Sequence, residues 1–217
     1  MAQRLIKVNE SRHLVITPKF RVSFPQLFVA RSFQDQPDQK KEFRVDMIFD
    51  SQDAFKAKGK TKKGETVSMI GAVNNVKVDQ WGANKDKWPK MQFPVFKKGD
   101  ERTNKDGEIY EGYEGKWFVT AKSGEKFAPK ILLANGQPAS EADLYGGCYA
   151  KAALLARPYV FGKNFGVSFR LLQVMKVEDG DRFGGVSEDL FEVEEDDTDF
   201  EIAGDDGDFG GGDDDDF

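Results

Sequence analysis

Between Cys148 and Phe165 the residue types change with a period of two. Tyr149, Lys151, Arg157, Tyr159 and Phe161 occupy odd positions, and Cys148, Ala150, Ala152, Leu154 and Ala156 fill the even ones. Successive side chains of a strand point to opposite faces, so this spacing puts the small residues on one face and the rings and cations on the other. Rings and cations interleaved in one row supply two kinds of contact. Aromatic faces stack on bases at about 1–3 kcal/mol per base without regard to sequence, and cations follow phosphates. Lys163 and Phe165, in the turn Phe161-Gly162-Lys163-Asn164-Phe165-Gly166, continue the row. Edge packing accounts for any one of these aromatics but poorly for the group. Arg44, Lys116 and Trp117 are further candidates, as is the lysine-rich loop Lys56–Lys63, although such loops are commonly just solvated.

Other chemistry lacks its residues. The one histidine, His13, sits without a nucleophile or acid that pattern would assign to it, so no catalytic residue is expected. Cys148 is the single cysteine, which excludes an intrachain disulfide and a cysteine-based zinc site. Gly59-Lys60-Thr61 looks like the end of a phosphate loop, but Ala54 stands where the leading glycine belongs. Glu178–Asp181 and Asp205–Asp208 are rich in Asp and Gly without the ligand ladder of a calcium loop. No metal and no cofactor is expected. Carboxylates such as Asp46 and Asp50 leave a metal-dependent DNA enzyme as a minor alternative.

Charge divides the chain. Residues 178–217 hold 19 acids and one base, Arg182, which leaves residues 1–177 with 31 bases and 19 acids. A net charge of −6 therefore averages a basic body and an acidic tail, and a basic body of this kind suits a polyanionic partner. From Glu188 the chain is mostly acid and glycine, with Phe200, Phe209 and Phe217 spaced along it. Such a segment buries too little apolar surface to order itself. The expected division is a domain over 1–187 and a disordered tail over 188–217. Asp213, Asp214, Asp215, Asp216 and Phe217 read as an apolar hook with flanking acids for a protein partner. Tethered to a basic body, the tail is also expected to compete with a bound polyanion. The first residues lack the apolar core of a signal peptide, and no stretch has the apolar length of a membrane span.

Elements that would position the row are legible as alternation. Phe20, Val22 and Phe24 share one face of a first strand; Phe43, Val45, Met47 and Phe49 share one face of a second, joined to it by a polar loop over Gln34–Lys41. A short helix is expected from about Thr66 to Val78, carried by Val67, Ile70, Val73 and Val76. Trp81 to Tyr113 reads as a long polar excursion, functional or mobile. Lys116–Ala121 and Pro129–Leu133 are strands. The last strand places Val167, Phe169, Leu171, Gln173, Met175 and Val177 on one face. The fold class is all-β with minor helix: a partly open OB-fold-like barrel with long loops, whose interior takes the small face of Cys148–Ala156.

Gly147-Cys148-Tyr149-Ala150-Lys151-Ala152, Pro158-Tyr159-Val160-Phe161 and Gly166–Val174 resemble the C-terminal strands of bacteriophage single-stranded DNA-binding proteins. Thr17-Pro18 to Leu27 and the Asp213–Phe217 end are similar to the same family, whose members are OB-fold replication proteins with acidic tails ending in Phe. The resemblance implies that Tyr159 and Phe161 contact bases. It implies a protein of the infected bacterial cytoplasm that coats single strands in replication and recombination and recruits a polymerase, helicase or primase through its tail. It allows a homodimer. The competing reading from residues alone is a basic architectural protein on duplex DNA.

Overall fold

The computed structural model describes residues 9–32, 40–91, 93–161 and 164–184, with the side chains of Glu10 and Phe161 excepted. The chain divides into two units, 1–185 and 186–217, and the second lies outside the described residues. So do Lys163, Asp213–Phe217 and most of the expected Gln34–Lys41 loop.

The first unit is built from strands β1 (Leu14–Ile16), β2 (Phe20–Arg31), β3 (Glu42–Phe49), β4 (Lys60–Thr61), β5 (Gly64–Glu65), β6 (Lys97–Lys98), β7 (Trp117–Gly124), β8 (Lys130–Leu132), β9 (Tyr149–Phe161) and β10 (Asn164–Glu178). Helices α1 (Glu10–His13) and α2 (Met69–Trp81) accompany them. Five strands pair in a circuit. β2 pairs β3, β3 pairs β7, β7 pairs β10 in parallel, β10 pairs β9, and β9 returns to β2. The β7–β10 seam is short, matching only Phe169 with Ala121 and Arg170 with Lys122. Further along the same edge β7 pairs β6 instead, Lys97 with Phe118 and Lys98 with Trp117. The result is the expected OB-like, partly open barrel.

Alternation fills its interior. Phe43, Val45, Met47 and Phe49 of β3 are buried, as are Cys148, just before β9, and Ala150, Ala152, Leu154 and Ala156 within it. All but Leu154 of the latter are small, because a five-strand barrel leaves little room at its axis. Helix α2 starts three residues later than the expected helix. Its N-cap, Ser68, accepts from the Gly71 amide at 3.1 Å, which fixes the start. Met69, Ala72, Val73 and Val76 join the barrel core.

Three readings of the alternation differ from the structure. β10 carries a bulge between Leu171 and Gln173, so the extra residue reverses the faces beyond it. Val174 is buried there, and Gln173, Met175 and Val177 are not. In β2 the pairing with β3 is irregular between Ser23 and Gln26, and Phe24 adopts φ 45. Its ring leaves the face of Phe20 and Val22 and stands 41% exposed. On β3, Asp46 and Ile48 are buried as well as the inward set, because the excursion folds over the outer face. That excursion is ordered by 3-10 turns at Lys85–Lys87 and Gly99–Glu101 and by β6. Gly99 lies so close to the Tyr113 carbonyl that a Cβ would fall 1.9 Å from its oxygen, so only glycine lets the two chain segments meet.

Candidate nucleic-acid interface

The outer face of the barrel is built by residues of opposite parity to the core. Register partners set Gln26 beside Arg44, Arg44 beside Lys122, and Lys122 beside Arg170. A row of cations thus runs across β3, β7 and β10, perpendicular to the strands. Two residues away in the β9–β10 pairing, Arg157 faces Ser168, and Tyr159 faces Gly166. The Tyr159 ring packs against Gly166, whose missing side chain leaves the space: a Cβ there would lie 2.5 Å from the ring. Gly166 therefore sets the position of Tyr159.

Of these, Lys122, Arg157, Tyr159, Ser168 and Arg170 line a cleft of about 810 Å³ together with Phe93, Lys97, Phe127 and Glu42. Phe93 and Phe127 are 55% and 54% exposed. Large rings left this open on a cleft rim are available to stack. The Arg170 guanidinium sits 4.0 Å from the Phe127 centroid, a contact that orients both groups. Lys97 lies 5.3 Å from the Phe118 ring. Lys122 pairs with Glu42, the carboxylate among the cleft's described residues, leaving Lys97, Arg157 and Arg170 uncompensated by it.

Beside the cleft a buried carboxylate organises the outer face. Asp46 is fully buried, accepts from the Thr120 hydroxyl at 2.6 Å, and is paired by Arg102 at 3.2 Å and Arg44 at 3.4 Å. The Tyr113 hydroxyl donates to it at 3.4 Å. Burial, reinforced by the Asp46 charge, pushes the Tyr113 phenol well above its ordinary value. Lys97 feels the opposite. Burial lowers its ammonium below the usual lysine range; the Asp46 charge opposes this, and the charges of Arg44, Arg102 and Lys122 add to it. Burial also raises the Tyr159 phenol.

The structure gathers some of the sequence candidates and separates others. Arg157 and Tyr159 line the cleft, and Phe165 lies in the adjoining start of β10, opposite Val160. The backbone of Phe161 closes the same hairpin, opposite Asn164. Tyr149 and Lys151 stand at the other end of β9, about 33 Å and about 26 Å from Tyr159 along the strand. There Tyr149 is flanked by Lys19 at 4.8 Å and Arg21 at 6.0 Å. Arg44 is on the cation row but paired with Asp46. Lys116 pairs with Asp50 at 2.8 Å, and the Trp117 ring packs towards the core, 6.3 Å from Phe55. Sequence reasoning missed Phe93, Lys97, Lys122, Phe127 and Arg170. For Lys122 and Arg170 a signal existed, since each alternates with core residues of its strand. Phe93, Lys97 and Phe127 sit in or beside loops with no period to read.

The buried His13 accepts the Asn9 amide on Nδ1 at 3.1 Å, so Nε2 carries the proton and donates to Asp79 at 3.0 Å. Cys148 is buried, which raises its thiol pKa. Gly59-Lys60-Thr61 leads into the β4–β5 hairpin rather than a helix. Among the described residues no cluster of His, Cys, Asp and Glu has metal-holding geometry, and no helix is long and apolar enough to cross a membrane.

Solved structures share this fold. The single-stranded DNA-binding protein from bacteriophage Enc34 in complex with ssDNA aligns with TM-score 0.56 at 16% identity, over 84% of this chain and all of that one. A C-terminal truncation of the Enc34 protein aligns with TM-score 0.53 at 16% identity, over 84% of this chain and 99% of that one. No curated protein matches the sequence. The model of the family described as Enterobacter phage Enc34, ssDNA-binding protein, matches residues 13–201, which takes in the barrel, the cleft and the first part of the acidic segment. This chain belongs to that phage single-stranded DNA-binding protein family.

Proposed function

We propose that the protein coats single-stranded DNA, without catalysing a reaction on it, during phage replication and recombination in the cytoplasm of the infected bacterium. The observation that carries this reading is the cleft, where the rings of Phe93, Phe127 and Tyr159 and the cations Lys97, Lys122, Arg157 and Arg170 line one open channel. Unpaired bases expose ring faces to stack on, whereas a duplex hides them, so this combination favours single strands over the architectural duplex reading. Stacking and phosphate contact are both indifferent to base identity, which suits a coat. The acidic tail, through Asp213–Asp216 and Phe217, recruits a replication enzyme such as a polymerase, helicase or primase.

Titration with single- and double-stranded oligonucleotides across a salt series tests the reading. Single strands bind more tightly at every salt concentration. Tyr159→Ala and Phe127→Ala each cost about 1–3 kcal/mol with the salt slope unchanged. Lys122→Ala and Arg157→Ala each flatten the log–log salt slope by about 0.7. Equal affinity for duplex and single strand, with wild-type slopes in both charge variants, rejects it.

A further inference from the structure

Phe24 is anomalous on three counts. Its backbone lies in the left-handed region at φ 45, where a phenylalanine is strained and glycine is favoured. Its place in the alternation would bury it beside Phe20 and Val22, yet its ring is 41% exposed. And the exposed ring is held: it meets Tyr110 edge-on at 4.9 Å between centroids, with Tyr113 behind at 6.4 Å. Strain kept at a position that forgoes burial calls for a use of the ring outside.

A cation is already placed over it. The Arg102 guanidinium lies 5.0 Å from the Phe24 centroid and 5.6 Å from that of Tyr110. Asp46 fixes it from below at 3.2 Å. The buried Nε atoms of Arg44, Arg102 and Arg170 have no hydrogen-bond partner among the described residues, and all three belong to this outer face. Two rings and a pre-oriented guanidinium make the same pairing of stacking surface and charge that the cleft shows.

The two places are continuous. Asp46 touches Arg102 on one side and Thr120, a cleft residue, on the other. Arg170, Lys122, Arg44 and Gln26 are successive register partners on four adjacent strands, a span of about 15 Å. Lys97, which lines the cleft, also lies within the fields of Arg44 and Arg102.

We infer that Phe24, Tyr110 and Arg102 form a second base-stacking subsite, reached from the cleft across the cation row. One strand then crosses the barrel from Tyr159 to Phe24, perpendicular to the β-strands. This inference rests on the single-strand reading above.

The test is a length series of oligothymidylates, from about 4 to about 16 nucleotides, against the full chain and three variants. Phe24→Gly removes the ring and relieves the left-handed strain, so its melting temperature holds or rises. Short strands, which fill only the cleft, bind Phe24→Gly as tightly as wild type. Long strands lose roughly 5- to 100-fold. Phe24→Tyr keeps the ring and the long-strand affinity, while Tyr159→Ala loses affinity at every length. Photocrosslinking of a long strand carrying 5-iododeoxyuridine labels Phe24 or Tyr110 as well as the cleft. Wild-type affinity of Phe24→Gly for all lengths overturns the subsite, as does an equal loss at all lengths, which would mean the ring acts through the cleft's shape. Either result leaves the single-strand reading intact. That reading fails separately if wild type shows no preference for single strands.

Discussion

Lys97 holds a position few surface lysines share. Its ammonium is partly buried beside Phe118, and that burial, helped by the charges of Arg44, Arg102 and Lys122, lowers its pKa despite the opposing charge of Asp46. A lowered lysine pKa means that the proton leaves at a lower pH than from an ordinary lysine. As pH rises into the alkaline range, Lys97 therefore loses its charge earlier than an ordinary lysine would, and phosphate binding is expected to weaken with it. Arginine does not titrate in that range. Lys97→Arg is expected to bind single strands like wild type near neutral pH and to keep its affinity in alkaline buffer, where wild type declines. Fluorescence anisotropy with a labelled oligonucleotide at several pH values reads this directly, and superimposable pH profiles for the two proteins would count against it. The same site shows what residue-level reading can reach. Tyr159 and Arg157 were legible because they alternate with Ala156 and Pro158 along one strand. Lys97 was not, because its surroundings come from three other segments.

At the scale of elements, residues 99–116 are the unexpected part. They cover the outer face of β2 and β3 and are latched through Asp46, which meets Arg102 and Tyr113 of this segment as well as Arg44 and Thr120 of the barrel. Gly99 against Tyr113 closes the segment on itself. A polar, turn-rich sequence such as this reads as a loop, and nothing local shows that a buried aspartate far upstream, 67 residues before Tyr113, will hold it. Removing that carboxylate leaves two guanidiniums facing each other without an anion. Asp46→Ala is expected to lower stability by about 2–4 kcal/mol, at or below the cost of breaking a fully enclosed pair, since Arg44 and Arg102 keep some contact with water. Urea denaturation measures the loss, and limited proteolysis should find new cleavage within 99–116. An unchanged urea midpoint would show that the latch contributes nothing.

For the whole molecule the charge division has consequences that no single element carries. Residues 188–217 contain 16 acids and no bases, so removing them takes the chain from net −6 to about +10. A polyanionic segment on the same chain opposes the approach of another polyanion. The chain lacking 188–217 is therefore expected to bind single strands more tightly at low salt, with the gain shrinking as salt rises. Removing Phe217 alone leaves the charge of the side chains unchanged. DNA affinity should persist, while co-precipitation with a replication enzyme is lost. Equal affinities of full-length and shortened chains at low ionic strength would dismiss the electrostatic opposition. Retained co-precipitation without Phe217 would dismiss the hook.

Sequence alone determined the properties that depend on near neighbours or on sums. The period of two marked β2, β3, β7, β9 and β10 as strands, and the small even residues of β9 marked a barrel interior. Composition separated the basic body from the acidic tail, and the order of motifs pointed to the family. Tertiary structure decided which outward residues share a cleft. Alternation assigns a side chain to a face but says nothing of the strand beside it, and a single inserted residue exchanges the faces. The bulge after Leu171 moved Val174 into the core, and the left-handed turn at Phe24 moved that ring out. Arg44, Lys122 and Arg170 stand side by side only because three strands distant in sequence pair in one register. Tyr149 and Tyr159 share a face, yet the length of β9 holds them at opposite ends of it, because a strand that is fully extended cannot bring its own ends together.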